Sequence, residues 1–343
     1  MTYIIAEIGQ NHNGSVTMAK ALVDMAADLR PRDYDAEPLK VDAVKLTKRD
    51  LDEEYTRSFG DQPYTGPHSF GATYHEHRQA LELTDDEHAE IADYARERDL
   101  DFIVTVCSPG ATSVLPKTRP DYVKVASRDL TNYPLLHALD QWYAPKIIST
   151  GMAELHEVAR AVSACNPYAI MHCVSSYPAE PHTWNLRSIE TLKELGRVVG
   201  YSDHSIGIVA PVAAVAMGAA IIEKHITLDR SMNGTDQAGS LERDGLYRMV
   251  RDIRALDAGL GVRRVFQHTS TQAAKRKLAR SLCAREDLPV GHVVQQSDLV
   301  MLSPGDGLSW MERDEVLGQT ITHPVIAREQ ITLESVGKSA VRV

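Results

Sequence analysis

Two histidines and two lysines carry the most conspicuous chemistry in this chain. His204 closes the run VVGYSDH, and His225 closes AAIIEKH. Between them, VAPVAAVAMGAA is a run of small residues long enough for one helix. Strand, helix, strand is a βαβ unit, and its two strand ends lie on the same side of a parallel sheet. The imidazoles can therefore sit side by side although a whole helix separates them. Neutral imidazoles sharing one mouth are good ligands for a first-row metal, and Asp203, Glu223, Asp229 and Asp236 surround them. A lone histidine there more often bonds a loop carbonyl; two at matched strand ends, among carboxylates, favour a metal. Lys45 in VDAVKLT and Lys124 in YVKVAS lie inside apolar runs. A lysine in a strand run is usually an edge or surface residue. These flanks instead predict burial, which demands an anionic partner.

The elements that must position these residues repeat along the chain. YIIAEIG, VDAVKLT, DFIVTVCS, YVKVAS, PKIISTG, YAIMHCVSSYP, VVGYSD and AAIIEKHI read as strands. Helical patterns separate most of them: SVTMAKALVDMAADL with Ser15 as N-cap, and TDDEHAEIADYARERDL with a Thr84/Glu87 capping box. Eight strands alternating with helices predict an α/β fold, a (β/α)8 TIM barrel of about 250 residues. Polar side chains gather at the predicted strand ends: Glu7, Lys45, Thr105, Lys124, Ser127, Ser149, Ser175, Ser202, His204 and His225. Barrel enzymes place their chemistry at that face. The polar, turn-rich excursion Lys48–Leu83 reads as an active-site wall or lid, and RPRDYDAEPLK as a surface loop. Barrel 1–261, basic linker 262–280 and a small β-rich domain 281–343 complete the expected organisation.

Composition narrows the classes. At 43% hydrophobic and 24% charged residues, the chain matches ordinary globular proteins. A formal net charge of -10 disfavours nucleic acid and anionic membranes as partners. Cys107, Cys165, Cys173 and Cys283 show no paired spacing, which fits reduced thiols in a cytoplasmic protein. No apolar stretch reaches about 18 residues, so no membrane span is expected. The opening MTYIIAEIGQNHNG has no basic stretch followed by a long apolar run, so no signal peptide is expected either.

AEIGQNHNG, VKLTKRD, SFGATYHEHRQALEL, YVKVASRDLTNYPLL, IISTGM, HCVSSYP, GYSDHSIGI and EKHITLDRSMNGTDQAGSLE occur in this order. They resemble the N-acetylneuraminate (sialic acid) synthase family almost end to end. The final segment resembles the antifreeze-like (SAF) domain of that family. The resemblance implies a transferase that condenses phosphoenolpyruvate with an N-acetylmannosamine-like aldehyde, giving a nonulosonic acid and phosphate. It implies a divalent metal, manganese foremost, with Mg2+ or Co2+ as alternatives, held by His204 and His225. Lys45, Thr105, Lys124, Ser127, Ser149, Ser175 and Ser202 resemble the phosphoenolpyruvate cradle. Glu7, Asp129, Tyr177 and Asp236 resemble the residues that hold the sugar or handle its protons; Glu223 resembles one that supports metal-bound water or a ligand. A homodimer that exchanges its C-terminal domain is also implied. Asp129 stands where the family commonly has Glu. Thr47 stands where it commonly has a sugar-contacting Gln, and Ser303 where an Arg reaches the sugar's acyl group. Both losses fall on the sugar side, so an altered acceptor is expected, with Arg313 or Lys48 as candidate substitutes. The alternatives are another phosphoenolpyruvate-dependent aldol-type synthase and a non-catalytic barrel that only binds.

Overall fold

The computed structural model describes residues 1–30 and 38–339. Most of the loop expected at RPRDYDAEPLK lies outside the described residues. Two compact units divide the chain, Met1–Gly261 and Val262–Val343.

The first unit is a closed barrel of eight parallel strands in sequence order. The strands are β1 (Tyr3–Gly9), β2 (Ala43–Lys48), β3 (Asp101–Val106), β4 (Tyr122–Val125), β5 (Lys146–Ser149), β6 (Ala169–Cys173), β7 (Val198–Asp203) and β8 (Ile221–His225). Each is apolar nearly throughout because both faces are covered. The outward set includes Ile4, Ala6 and Ile8 of β1, and Val44 and Leu46 of β2. These pack with helices such as Val16–Ala27 in one continuous core. The inward set alternates with it and forms a separate cluster: Ile5, Ala43, Ile103, Ile147, Ala169, Met171 and Ile221. That cluster is the floor of the barrel. One step further along the same alternation come Glu7, Lys45, Thr105, Ser149 and Glu223. Polar chemistry thus stands directly above an apolar plug. Gly200 belongs to this packing: a Cβ there would come within 2.7 Å of Ile221 O.

Caps fix the helix entries. Ser15 Oγ accepts from Met18 N, and Thr84 and Glu87 form a reciprocal capping box.

The second unit has its own small core, with Leu282, Leu299, Ile321 and Ile331 among its buried members. Its sheet is one antiparallel pair, β9 (Ser281–Ala284) and β10 (Leu299–Leu302). The segment expected as a linker holds a short helix, Gln272–Leu278.

His12, in the turn after β1, is buried at 1% exposure, and Gly14 N donates to its Nδ1 at 3.1 Å. Burial, reinforced by His88 and Arg49, pulls its pKa down to about 3. The folded protein therefore refuses a proton that the unfolded chain takes near 6.5. The stabilisation is complete above that pH and drains away as the pH falls towards the folded value. The urea midpoint is expected to drop on acidification from about pH 6.5 to about 4, with His12 supplying about 1.4 kcal/mol per pH unit. A His12→Gln variant should flatten that slope.

Candidate active site

A cavity of about 280 Å³ opens where the strands end. Of the residues expected to hold the metal, the phosphoenolpyruvate and the sugar, all but Asp129 line it. Asp129 turns its carboxylate to the Arg128 Nε at 3.4 Å, and burial pushes that carboxyl up against the pull of Arg128.

Strand register sets the interior. Glu7 pairs with Lys45 on one side and with His225 on the other. Thr105 stands beside Lys124, and Ser202 beside Glu223. The Lys45 ammonium ion-pairs with Glu7 and donates to Thr105 Oγ1 at 2.7 Å, with Glu223 3.8 Å away. Lys124 Nζ lies 3.1 Å from Glu223 Oε2, and Ser202 Oγ donates to Glu223 Oε1 at 2.9 Å. All four charged groups are 5% exposed or less. The anionic partners that the two lysines demanded are therefore these glutamates.

The two carboxyls are not equivalent. For Glu223, burial acts upward but is outweighed by Lys124 and Lys45, which hold it low. For Glu7, burial prevails over Lys45 and pushes it up to about 7. Lys45 stays charged: burial opposes its proton, but Glu223 and Glu7 more than compensate. One carboxylate is thus a fixed charge, and the other can exchange a proton near neutrality.

The rings of His204 and His225 lie 5.7 Å apart, centroid to centroid. His204 Nδ1 is 2.8 Å from Val174 O. A carbonyl only accepts, so Nδ1 carries the proton and Nε2 keeps its lone pair. Nε2 accepts from the Tyr177 hydroxyl at 2.9 Å. His225 is kept neutral, first by burial, and its Nδ1 is buried without a partner. These two imidazoles are the residues that could hold a metal. Among the described residues they are not joined by a third His, Cys, Asp or Glu in a ligand cluster. Of the acids expected around them, Glu223 and Asp236 line the cavity. Asp229 is exposed.

Asp203 serves another purpose. It and Lys224 sit on the outward face, each 1% exposed, and pair at 2.5 Å. Tyr201 OH, Ser205 N and Ser205 Oγ also donate to Asp203, at 3.1, 3.0 and 3.0 Å. This brace ties β7 to β8 one residue before each histidine.

The serine rim is open where a side chain would fill it. Gly151 N donates to Ser127 Oγ at 3.0 Å. A Cβ on Gly151 would collide with Ser175 Oγ and lie 3.1 Å from Cys173 Sγ. Ser149 Oγ is buried with no partner, a donor left for something else.

Among the cavity-lining groups that sequence reasoning missed are Gln10, Arg49, Arg78, Arg128 and Cys173. Arg49 and Arg128 follow strand ends, so the reading used for the lysines could have found them. Glu54 bridges them, 3.2 Å from Arg49 Nε and 2.6 Å from Arg128 Nη2. Arg78 lies mid-helix in Tyr74–Leu81, with no positional signal. The substitutes named for the sugar side are occupied elsewhere. Lys48 donates to Leu83 O at 2.8 Å, and Arg313 lies over the Trp310 ring. Thr47 lines the cavity, and Ser303 Oγ donates to Leu278 O at 3.2 Å.

Comparison with known proteins agrees with this architecture. Residues 34–264 match the NeuB family model. The chain belongs to the NeuB family. Residues 279–336 match the SAF domain. Human N-acetylneuraminate-9-phosphate synthase is 33% identical over 318 residues, covering 91% of this chain and 86% of the human one. The N,N'-diacetyllegionaminic acid synthase of Legionella pneumophila is 32% identical over 333 residues, covering 93% and 90%. A crystal structure of the N-acetylneuraminic acid synthetase of Leptospira borgpetersenii superposes with a TM-score of 0.67 at 31% identity, covering 80% and 90%.

Two outcomes are expected from this geometry. Lys224→Met leaves Asp203 charged and buried, and should cost about 3–5 kcal/mol in denaturant unfolding. Adding Asp203→Asn should recover part of that loss, which a double-mutant cycle measures. Gly151→Ala crowds the serine rim, and should weaken anion binding by about 10-fold or more while lowering the melting temperature by only a few degrees.

Proposed function

We propose that this chain condenses phosphoenolpyruvate with an amino-sugar aldehyde, releasing phosphate and a nonulosonic acid. The observation that carries the reading is the meeting, in one cavity, of two buried ammonium groups, the hydroxyls of Ser127, Ser149, Ser175 and Ser202, and two imidazoles. Lysines and hydroxyls suit a phosphate and a carboxylate. Imidazoles suit a divalent ion at an aldehyde oxygen.

In this reading Lys45 and Lys124 bind the phosphoenolpyruvate anion, and the serines orient its phosphate. C3 of the enol ether forms the new bond to the aldehyde carbon, and the carbonyl electrons go to the sugar oxygen, which takes a proton. Water adds at C2 and loses a proton; the C2–O bond to phosphate then breaks, the C2 hydroxyl becomes the ketone, and its proton goes to the departing phosphate. Glu7 is placed to take that water proton, because its carboxyl exchanges near neutrality at little cost. Glu223 stays ionised and keeps both ammonium groups in place. Tyr177 and Asp236 hold the sugar.

The buried, partnerless Nδ1 of His225 and the lone pair on His204 Nε2 fit a first-row divalent ion, manganese foremost. When bound, such an ion would act as a Lewis acid on the aldehyde oxygen. The acceptor is proposed to differ from free N-acetylmannosamine, because Thr47 and Ser303 lack the family's sugar-side donors. The human relative makes a phosphorylated product and the Legionella one does not, by their names. A homodimer with exchanged C-terminal segments completes the proposal, and light scattering should give twice the chain's mass.

Phosphate release from phosphoenolpyruvate, assayed with a panel of aldoses and divalent ions, tests the reading. Turnover should need both the metal and an amino-sugar aldehyde, and His204→Ala should lower it about 1,000-fold or more. A rate untouched by chelator removes the metal from the scheme, and no release with any aldose removes the reaction. The pH–rate profile should climb through a limb near 7 that vanishes, with most of the rate, in Glu7→Gln.

A further inference from the structure

Resting on the synthase reading, we infer that Asn11 is a positioning residue for the acceptor: with Ser240 and Gln237 it locks the loop after β8 into one shape, and so sets Asp236 in the cavity.

That loop runs from Ile226 to Leu241, between β8 and the helix Arg243–Gly259. Its two ends meet. Ile226 and Leu241 form a parallel bridge, Leu241 N donates to His225 O at 2.9 Å, and Thr227 N donates to Leu241 O at 3.0 Å. Asn11, in the turn after β1, closes this base from the side, and is 3% exposed. A carbonyl only accepts, so Asn11 must face the loop with its amide nitrogen. Nδ2 donates to Ile226 O at 2.8 Å, where the loop begins, and to Ser240 Oγ at 2.9 Å, where it ends. Ser240 Oγ passes the contact on, donating to Asp236 O at 2.6 Å. Gln237 answers from within the loop. Its Nε2 donates to Asn11 O at 3.2 Å and to Asn13 Oδ1 at 3.3 Å, while its Oε1 accepts from Thr227 Oγ1. Thr227, Gln237 and Ser240 are all buried. An apolar side chain at position 11 would leave Ile226 O without this donor and Ser240 Oγ without its own. Buried networks whose members are bonded to one another rigidify a segment and specify one conformation.

What the clasp fixes is Asp236, which lines the cavity with both imidazoles. Among the described residues, Asp236 forms no ion pair, and its carboxylate accepts only from its neighbour, Thr235 Oγ1, at 3.1 Å. Its place is therefore set through its backbone, and Ser240 and Asn11 hold that backbone. The groups read as binding phosphoenolpyruvate have no such dependence. Lys45, Lys124, Ser149 and Ser202 stand on β2, β4, β5 and β7, fixed by the barrel ladder. The histidines have that ladder and the Asp203–Lys224 brace. Loosening the clasp thus disturbs the acceptor side alone.

Ser240→Ala tests this, because it removes one hydroxyl and leaves the barrel strands untouched. On the full chain with manganese, KM is measured separately for phosphoenolpyruvate and for N-acetylmannosamine, and again for the fastest aldose of the panel. KM for the aldose should rise about 10-fold, the range of one buried hydrogen bond, while that for phosphoenolpyruvate stays within about 2-fold. Asn11→Ala should show the same split, enlarged. In an Asp236→Ala background, Ser240→Ala should raise the aldose KM no further, because the group it places is gone. An unchanged aldose KM, equal rises for both substrates, or additive effects of Ser240→Ala and Asp236→Ala would overturn the inference. Amide hydrogen exchange reads the clasp without turnover: protection across the loop should fall in Ser240→Ala, and unchanged exchange would also overturn it. If no aldose releases phosphate with the wild-type chain, the parent reading falls, and the exchange alone decides whether the clasp holds the loop.

Discussion

Two ammonium groups and two carboxylates buried inside the barrel are the constraint on which the rest of this structure turns. Buried charges are tolerated only when paired and hydrogen-bonded. Lys45, Glu7, Glu223 and Lys124 meet that condition by interlocking across β1, β2, β4 and β8. The partners come from strands remote in sequence, so the pairing forms only when the barrel closes. The same four groups then set the electrostatics of the cavity. Two cations balanced by one firmly ionised and one exchangeable carboxylate make a site that can receive an anion and still move a proton.

The barrel was legible because its signal repeats. Each strand is short and apolar, polar residues lie at or near its end, and the capping box at Thr84 and the cap at Ser15 mark where helices begin. Period-two alternation places Glu7 and Lys45 inward without further information. The histidine pair was legible for the same reason: each lies at the end of a strand, and neighbouring strands put their ends together. The partners of the lysines were not legible. Nothing in YIIAEIG says that Glu7 faces VDAVKLT rather than another strand, because register is a property of the closed sheet.

The arginines were less legible still. Arg78 reaches the cavity from a helix in the long excursion after β2, held there by Tyr74 and Gln10. Its placement depends on how a turn-rich segment packs, and no periodicity encodes that. Asp129 is a different case. Motif likeness put it in the site, and its carboxylate turns to the adjacent guanidinium of Arg128 at 3.4 Å, beside the residues that line the cavity. The acids near the histidines divide in the same way. Asp203 is one residue from His204 but points outward, as alternation requires, and joins the brace with Lys224.

That brace separates two tasks that most pockets must combine. The histidines are anchored from behind by a pair of groups that are themselves almost fully buried. The residues facing the opening can therefore change size and polarity while the imidazole pair keeps its spacing. A lineage that swaps one sugar for another needs to revise only the front of the barrel. Change at the front of the barrel, with the imidazole pair held at fixed spacing, is what such a division of labour allows.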